Sequence, residues 1–402
     1  MVNRKCYLAK LRLLKNKNVI KVITGIRRSG KSTILELFRK ELLKLRVKKS
    51  NIIFINFEER ENLHLVNWAV LYDEIIKKIN KNENYYVFLD EIQMIENFEK
   101  MVNSLFVKKN IDLYITGSNA LLLSGELSTL LTGRYIAINI TPYSFAEYRE
   151  AFNKETNADK LFRQYMNASH FPEAVNISQT APELVNDYIR SIYDTVINKD
   201  ISQRYKLRVV DNLRRVIDFV FNSIGSPISA SNIANALNKN SDKKISHNTV
   251  KNYLDYLCQS FVIYKARRYD VKGKELLTTC EKYYLVDLGL RQITSGDKFD
   301  SELGHKLENL VYFELLRRGG EVFVGKNKDK EIDFIVQKSA KEREYYQVAY
   351  TVTNEKTFSR EMAAFKNIND NYPKYLITMD FDNSSIDGIK KINAIDWLLD
   401  CQ

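Results

Sequence analysis

The sequence predicts an α/β fold built on a parallel sheet, and three observations carry that prediction. Short apolar runs alternate with helical patterns over the first 140 residues. The segment Gly25-Ile26-Arg27-Arg28-Ser29-Gly30-Lys31-Ser32 follows one such run and precedes a helical stripe. A second run, Tyr85-Tyr86-Val87-Phe88-Leu89, ends in Asp90-Glu91. Strands that are apolar on both faces and separated by helices belong to a sheet covered on both sides.

The expected strands of this first region are 20–24, 52–57, 85–89, 113–116 and 135–140. Between the first two, Ile34, Leu35, Leu37, Phe38, Leu42 and Leu45 recur at helical spacing, and 67–79 and 98–106 read as further helices. From about 155 to 220 the pattern is wholly helical, with aromatic-rich amphipathic stretches at 188–196 and 213–221. Residues 228–269 form a compact unit: helix 231–237, a polar turn, helix 246–258 and a strand-like 261–267. The last hundred residues return to mixed α/β, with a helix at 303–317, strands at 321–324, 331–336 and 345–349, a further helix and a strand at 375–379. These changes of pattern divide the chain into 1–155, 156–222, 223–290 and 291–402.

A length of 402 residues suits more than one domain, and 45% hydrophobic with 28% charged residues suits a soluble globular protein. No stretch approaches 18 apolar residues, and the basic segment 1–17 lacks an apolar core of signal-peptide length. Cys6, Cys258, Cys280 and Cys401 are far apart and share no metal-ligand spacing with the four His, so free thiols in a reducing cytoplasm are expected. The net charge of +12 is uneven: the first fifty residues hold sixteen Lys/Arg against Glu36 and Glu41, and the rest sums to about −2. Such asymmetry marks either a nucleic-acid or anionic contact or a solvated basic face around a phosphate site.

Gly25-x-x-x-x-Gly30-Lys31-Ser32 has the full Walker A spacing in a strand–loop–helix context. Glycines let backbone N–H groups wrap phosphates, and the helix N-terminus adds its dipole. Gly25, Arg28, Ser29, Gly30, Lys31, Ser32 and Thr33 are therefore the expected ATP-binding residues. Lys31 reaches the β- and γ-phosphates, and the Ser32 hydroxyl ligates Mg²⁺. A carboxylate at the end of an adjacent strand, Asp90, also suits Mg²⁺, and Glu91 beside it suits the base that deprotonates the attacking water. Ser118 and Asn119 close the next strand, where a side chain can orient water or sense the γ-phosphate. Arg134 precedes the last strand and is a candidate arginine finger, in its own site or toward a neighbouring subunit. No base-reading motif separates ATP from GTP.

The segments 25–33, Leu89-Asp90-Glu91-Ile92-Gln93, Ile115-Thr116-Gly117-Ser118 and Leu131-Thr132-Gly133-Arg134 resemble those of a large family of prokaryotic AAA-like ATPases. So do Pro142-x-Ser144-Phe145-x-Glu147 and Phe171-Pro172-Glu173. That family carries a C-terminal domain of unknown function, and the resemblance covers nearly the whole chain. It implies an AAA-type domain with an additional strand between the P-loop and Walker B strands. It also implies a helical lid, a winged helix and a C-terminal domain similar to restriction endonucleases.

In that frame 246–258 is the recognition helix, with His247, Asn248, Lys251 and Asn252 toward its N-terminal half. Residues 221–270 carry seven Lys/Arg and three Asp, which suits phosphate contact, although a winged helix that only transmits the state of the ATPase fits as well. Glu308, Asp333 and Gln347 resemble a metal-dependent nuclease core, vestigial because Ala349 stands where its lysine is expected. The leading expectation is an AAA-like ATPase acting as a conformational switch, with ATP, Mg²⁺, and DNA or a protein as partners. The alternatives are an ATP-dependent nuclease and a nucleotide-regulated DNA-binding or protein-interaction regulator.

Overall fold

The computed structural model describes residues 2–400 apart from 121–132, 153–154, 156, 208, 240–243, 296–301, 340, 367 and 369. Leu131 and Thr132 of the Leu-Thr-Gly-Arg segment, and Cys401, lie outside the described residues. The chain forms two compact units, one made mainly of residues 1–142 and the other of most of 143–402.

The first unit is a five-stranded parallel sheet of β1 (Ile20–Thr24), β2 (Ile52–Asn56), β3 (Tyr85–Asp90), β4 (Ile111–Gly117) and β5 (Tyr135–Asn139), in the order β2-β3-β4-β1-β5. The expected additional strand is β4, which lies between β1 and β3. Period-two alternation explains why the strands read as apolar throughout. Val22, Val87, Leu89, Leu113 and Ile115 pack on one side with α3 (Trp68–Lys77) and α4 (Phe98–Phe106). Ile23, Tyr86, Phe88, Tyr114 and Ile138 pack on the other with α1 (Lys5–Leu14) and α2 (Lys31–Lys44). Helix α1 was not expected; its apolar stripe Tyr7, Leu8 and Leu11 is buried within the basic N-terminal segment.

The second unit begins with helices Phe145–Ala151, Ala158–Asn167, Pro172–Thr180 and Val185–Thr195, then a π-helical stretch Val196–Gln203 and helix Val210–Phe221. The Pro-x-Ser-Phe-x-Glu segment is a capping box: Glu147 N donates to Ser144 Oγ at 3.2 Å, and Ser144 N donates to Glu147 Oε2 at 2.9 Å. Pro172 opens its helix, where the missing N–H is harmless.

Helices Ala230–Asn238 and His247–Gln259 lead into a nine-stranded sheet. Its strands are β6 (Pro227–Ile228), β7 (Ile263–Asp270), β8 (Glu275–Leu285), β9 (Glu321–Asn327), β10 (Lys330–Ser339), β11 (Glu342–Val348), β12 (Lys374–Thr378), β13 (Ser384–Ile386) and β14 (Ile389–Asn393). The sheet is continuous across residue 290, because β7 pairs in parallel with β9, Arg267 opposite Phe323. Strand β8 has no counterpart among the expected elements.

Candidate functional site

The loop 25–30 leaves β1 and feeds α2, and its conformation demands its two glycines. Gly25 has φ 146°, and a Cβ there would stand 2.1 Å from the Ile140 carbonyl oxygen. Gly30, at φ 95°, is the residue before α2, in the left-handed region that glycine adopts at little cost. Lys31 is buried, and its Nζ donates to the carbonyls of Gly25 at 3.2 Å and Ile26 at 3.3 Å. Ser29 is buried, Ser32 half-buried, and Arg28 and Thr33 are exposed. Arg28 holds φ 67°. Arg27 pairs with Glu58 at 3.2 Å.

The order β3-β4-β1 brings the ends of three strands together beside this loop. Asp90 and Glu91 end β3, and Ser118 and Asn119, both buried, follow β4. Glu91 Oε1 lies 3.6 Å from Lys31 Nζ. Thr116 ties the neighbouring strand to both acids: its hydroxyl donates to Asp90 Oδ1 at 2.5 Å and accepts from Glu91 N at 2.9 Å. Gln93 Nε2 donates to Glu91 Oε2 and lies 3.5 Å from Ser118 Oγ. Burial pushes the Asp90 carboxyl up from its ordinary value, against the opposing hydrogen bonds of Thr116 and Ser32.

Mg²⁺ fits these residues. Asp90 Oδ2 is buried and has no hydrogen-bond partner, and the Ser32 hydroxyl lies against the same carboxylate. An anionic oxygen with an open lone pair beside a hydroxyl is the hard-oxygen donor set Mg²⁺ takes.

Arg134 requires a correction. Tyr135 pairs with Ile20 and the Arg134 carbonyl accepts from Ile20 N at 2.8 Å, so Arg134 lies where β1 begins. The loop lies where β1 ends, five residues and roughly 16 Å away. Its guanidinium donates to Asn103 Oδ1 at 2.6 Å and stands 5.8 Å from the Phe106 ring. Arg134 therefore does not reach the phosphate loop of its own chain. Thr116 and Gln93 were not singled out from sequence, although both sit inside the Ile-Thr-Gly-Ser and Leu-Asp-Glu-Ile-Gln segments that were.

In the second unit Glu308, Asp333 and Gln347 line one cavity of about 710 Å³, and a lysine joins them from β8. Lys282, buried, places Nζ 3.0 Å from Glu308 Oε1 and 2.6 Å from Glu331 Oε1. Tyr284 donates to the same Glu308 oxygen at 2.7 Å, and His305 Nδ1 stands 3.8 Å from Oε2. Burial alone raises a carboxyl, but the Lys282 ammonium, with His305 and Tyr284, holds Glu308 down to about 2. Asp333 is pushed well above its ordinary value by burial and the Glu308 charge, and its Oδ2 accepts from Val348 N at 2.8 Å. Both ends of the Gln347 amide are engaged: Nε2 donates to Glu361 at 2.7 Å and Oε1 accepts from Asp333 N at 3.3 Å. Ala349, buried, holds the place of the expected lysine.

Residues 17–149 match the family model described as an AAA domain, and residues 159–300 match a domain of unknown function (DUF8612). Among solved structures, a Walker-type ATPase of Pyrococcus abyssi superposes with a TM-score of 0.50 at 14% identity, over 73% of this chain and 96% of that one. That likeness is one of fold. No helix among the described residues is long and apolar enough to cross a membrane. An uncharacterized protein of Methanocaldococcus jannaschii is 29% identical over 96% of this chain and 86% of its own length. An uncharacterized protein of Haemophilus influenzae is 40% identical over 99% of both chains. The chain therefore belongs to one family with that Haemophilus influenzae protein, and its residues 17–149 form an AAA domain of the AAA-like P-loop kind.

Proposed function

We propose that this protein binds and hydrolyses ATP and uses the cycle as a conformational switch on a nucleic-acid-associated partner. The observation that carries this reading is the convergence of Lys31, Ser32, Asp90, Glu91, Thr116 and Ser118 at the ends of β1, β3 and β4. In this reading the loop N–H groups and Lys31 hold the phosphates. Ser32 and Asp90 hold Mg²⁺, which when bound neutralises charge on the β- and γ-oxygens. Glu91, steadied by Gln93, accepts the proton of the attacking water. Ser118 and Asn119 flank that water, and Thr116 holds the Asp90 carboxylate and the Glu91 backbone in register. The helical segment 156–222 serves as lid, and 223–290 carries the change onward as a winged helix.

Two observations support a nucleic-acid partner. The first fifty residues hold +14 charges, and His247, Asn248, Lys251 and Asn252 are exposed on their helix. The test is steady-state ATP hydrolysis with and without double- and single-stranded DNA, at low and near-physiological salt. Stimulation by DNA that fades with salt is the expected outcome, because phosphate contacts release counterions. Turnover indifferent to DNA at either salt moves the partner to a protein, and no turnover with any nucleotide overturns the reading.

One observation favours a second reading, an ATP-dependent nuclease: Lys282 supplies the ammonium that position 349 lacks. Incubation of plasmid DNA with Mg²⁺ or Mn²⁺ decides it. Cleavage that disappears in Asp333→Ala supports the nuclease, and intact plasmid leaves the cavity as an ion-paired remnant.

A further inference from the structure

The phosphate loop is braced from outside by a residue that precedes every strand of the sheet. Arg4 is 3% exposed and sits at φ 46°, immediately before α1. Its Nη1 donates to the Ser29 carbonyl at 3.0 Å, and its Nη2 donates to the Thr141 carbonyl at 2.7 Å. The guanidinium carbon lies 4.9 Å from the centre of the Tyr7 ring. The Tyr7 hydroxyl lies 3.1 Å from Thr141 Oγ1 and accepts from Thr141 N at 3.3 Å. One planar cation thus joins the carbonyl just before Gly30 to the carbonyl just before Pro142, where the first unit ends.

In a trans peptide the C=O and the following N–H point in opposite directions. Gripping the Ser29 oxygen therefore fixes which way the Gly30 N–H points, and converging N–H groups are what such a loop offers to phosphates. Ser29 is fully buried, so without Arg4 its carbonyl loses a charged donor that water does not replace. A further contact reaches the same loop from just past β5, where the Ile140 carbonyl packs against Gly25 at a distance that excludes any side chain. A guanidinium can hold two carbonyls at once in a fixed fork, and an ammonium on a lysine stem cannot reproduce that geometry.

We propose that Arg4 is a positioning residue: it orients the Ser29–Gly30 peptide for phosphate binding and ties that peptide to Thr141, where the chain leaves the ATPase unit. The proposal rests on the reading of residues 25–32 as the ATP site. It gives the N-terminal segment a role in nucleotide affinity without contact to the reacting atoms.

The test compares full-length Arg4→Ala, Arg4→Gln and Arg4→Lys with the parent protein by Michaelis analysis of ATP·Mg²⁺ hydrolysis, calorimetric ATP binding and thermal melting. Arg4→Ala should raise KM and Kd for ATP by about tenfold while kcat stays within about twofold. Arg4→Lys, which keeps the charge but loses the fork, should fall between. A lower melting temperature with KM and Kd unchanged overturns the proposal and leaves Arg4 as a structural brace only. If Arg4→Ala does not fold, Arg4→Lys and Arg4→Gln carry the same comparison, and an unchanged KM in both has the same meaning. Lys31→Ala is the separate control: ATP binding retained there undermines the site itself, whatever Arg4 does.

Discussion

Lys31 and Lys282 both sit buried beside carboxylates, and the two units hold them in opposite ways. Lys31 rests on the neutral carbonyls of Gly25 and Ile26 and stands 3.6 Å from Glu91. Lys282 is paired directly with Glu308 at 3.0 Å and Glu331 at 2.6 Å. The neighbouring acids differ in the same sense. Asp90 keeps a buried oxygen with no hydrogen-bond partner, whereas Asp333 accepts from Val348 N and both ends of the Gln347 amide are engaged. Carbonyl contacts exchange readily for a phosphate; a buried ammonium between two carboxylates does not, because removing either sign strands the other. The first site leaves its charge balance to be completed by a ligand. The second completes its own.

The strongest way to break this comparison lies in the first site. Glu91→Gln should cut ATP turnover by about a thousandfold, as loss of a positioned base does, while ATP affinity stays close to that of the parent. Lys31→Ala should lose turnover to a similar degree and lose binding with it. Single-turnover hydrolysis alongside equilibrium binding separates the two. A Glu91→Gln protein that hydrolyses at the parental rate would mean that another group is the base.

The next effect lies in the second site and is one of stability. Lys282→Met removes the ammonium and leaves Glu308 and Glu331 without their partner, at a cost of about 3–5 kcal/mol. The pH dependence should also change sign. In the parent, Glu308 is held at about 2 against an ordinary value near 4.3, so its contribution is full above about pH 4.5 and is lost as pH falls toward 2. In Lys282→Met, burial raises Glu308 instead, so that the variant loses stability as pH rises through the raised value. Denaturant titrations from pH 3 to 8 read both slopes. Parallel curves for the two proteins would show that the pair is not the buried lock described.

A smaller effect tests the strand-to-strand tie. Thr116→Val conserves shape in β4 but removes the hydroxyl that bonds Asp90 Oδ1 and Glu91 N. Turnover should fall about tenfold, through loss of carboxylate register, with melting changed by no more than about 1–2 kcal/mol. Unchanged turnover would place the register of these acids in the backbone alone.

The contrast between the sites follows what a sequence can carry. The first site is local: a loop between β1 and α2, and acids at the end of one apolar run, all read from spacing and period. The Pro-x-Ser-Phe-x-Glu segment was equally local, and its capping box explains it within four residues. The second site depends on strand pairing at a distance. Lys282 meets Glu308 only because β8 lies against helix Leu303–Arg318, and in sequence it is one lysine before Tyr283-Tyr284. Burial of all four residues Lys282, Tyr283, Tyr284 and Leu285 also leaves no alternation by which this part of β8 could be read. Arg134 failed in its own site for a related reason: closeness to a strand was legible, but which end of the sheet it occupied depended on the register with β1.

The smallest expected effect is the sharpest statement of independence. Asp333→Ala should leave ATP turnover within about twofold of the parent. Asp333 belongs to the second compact unit, its carboxylate takes a hydrogen bond from Val348 N, and the charges facing it are Glu308, Lys282 and Glu361. Its removal should cost stability instead, since the buried Val348 N–H loses its acceptor. A collapse of turnover in a variant that still melts cooperatively would mean that the state of this cavity is read by the ATPase. The two lysines would then be two ends of one coupled device rather than two separate solutions to burying a positive charge.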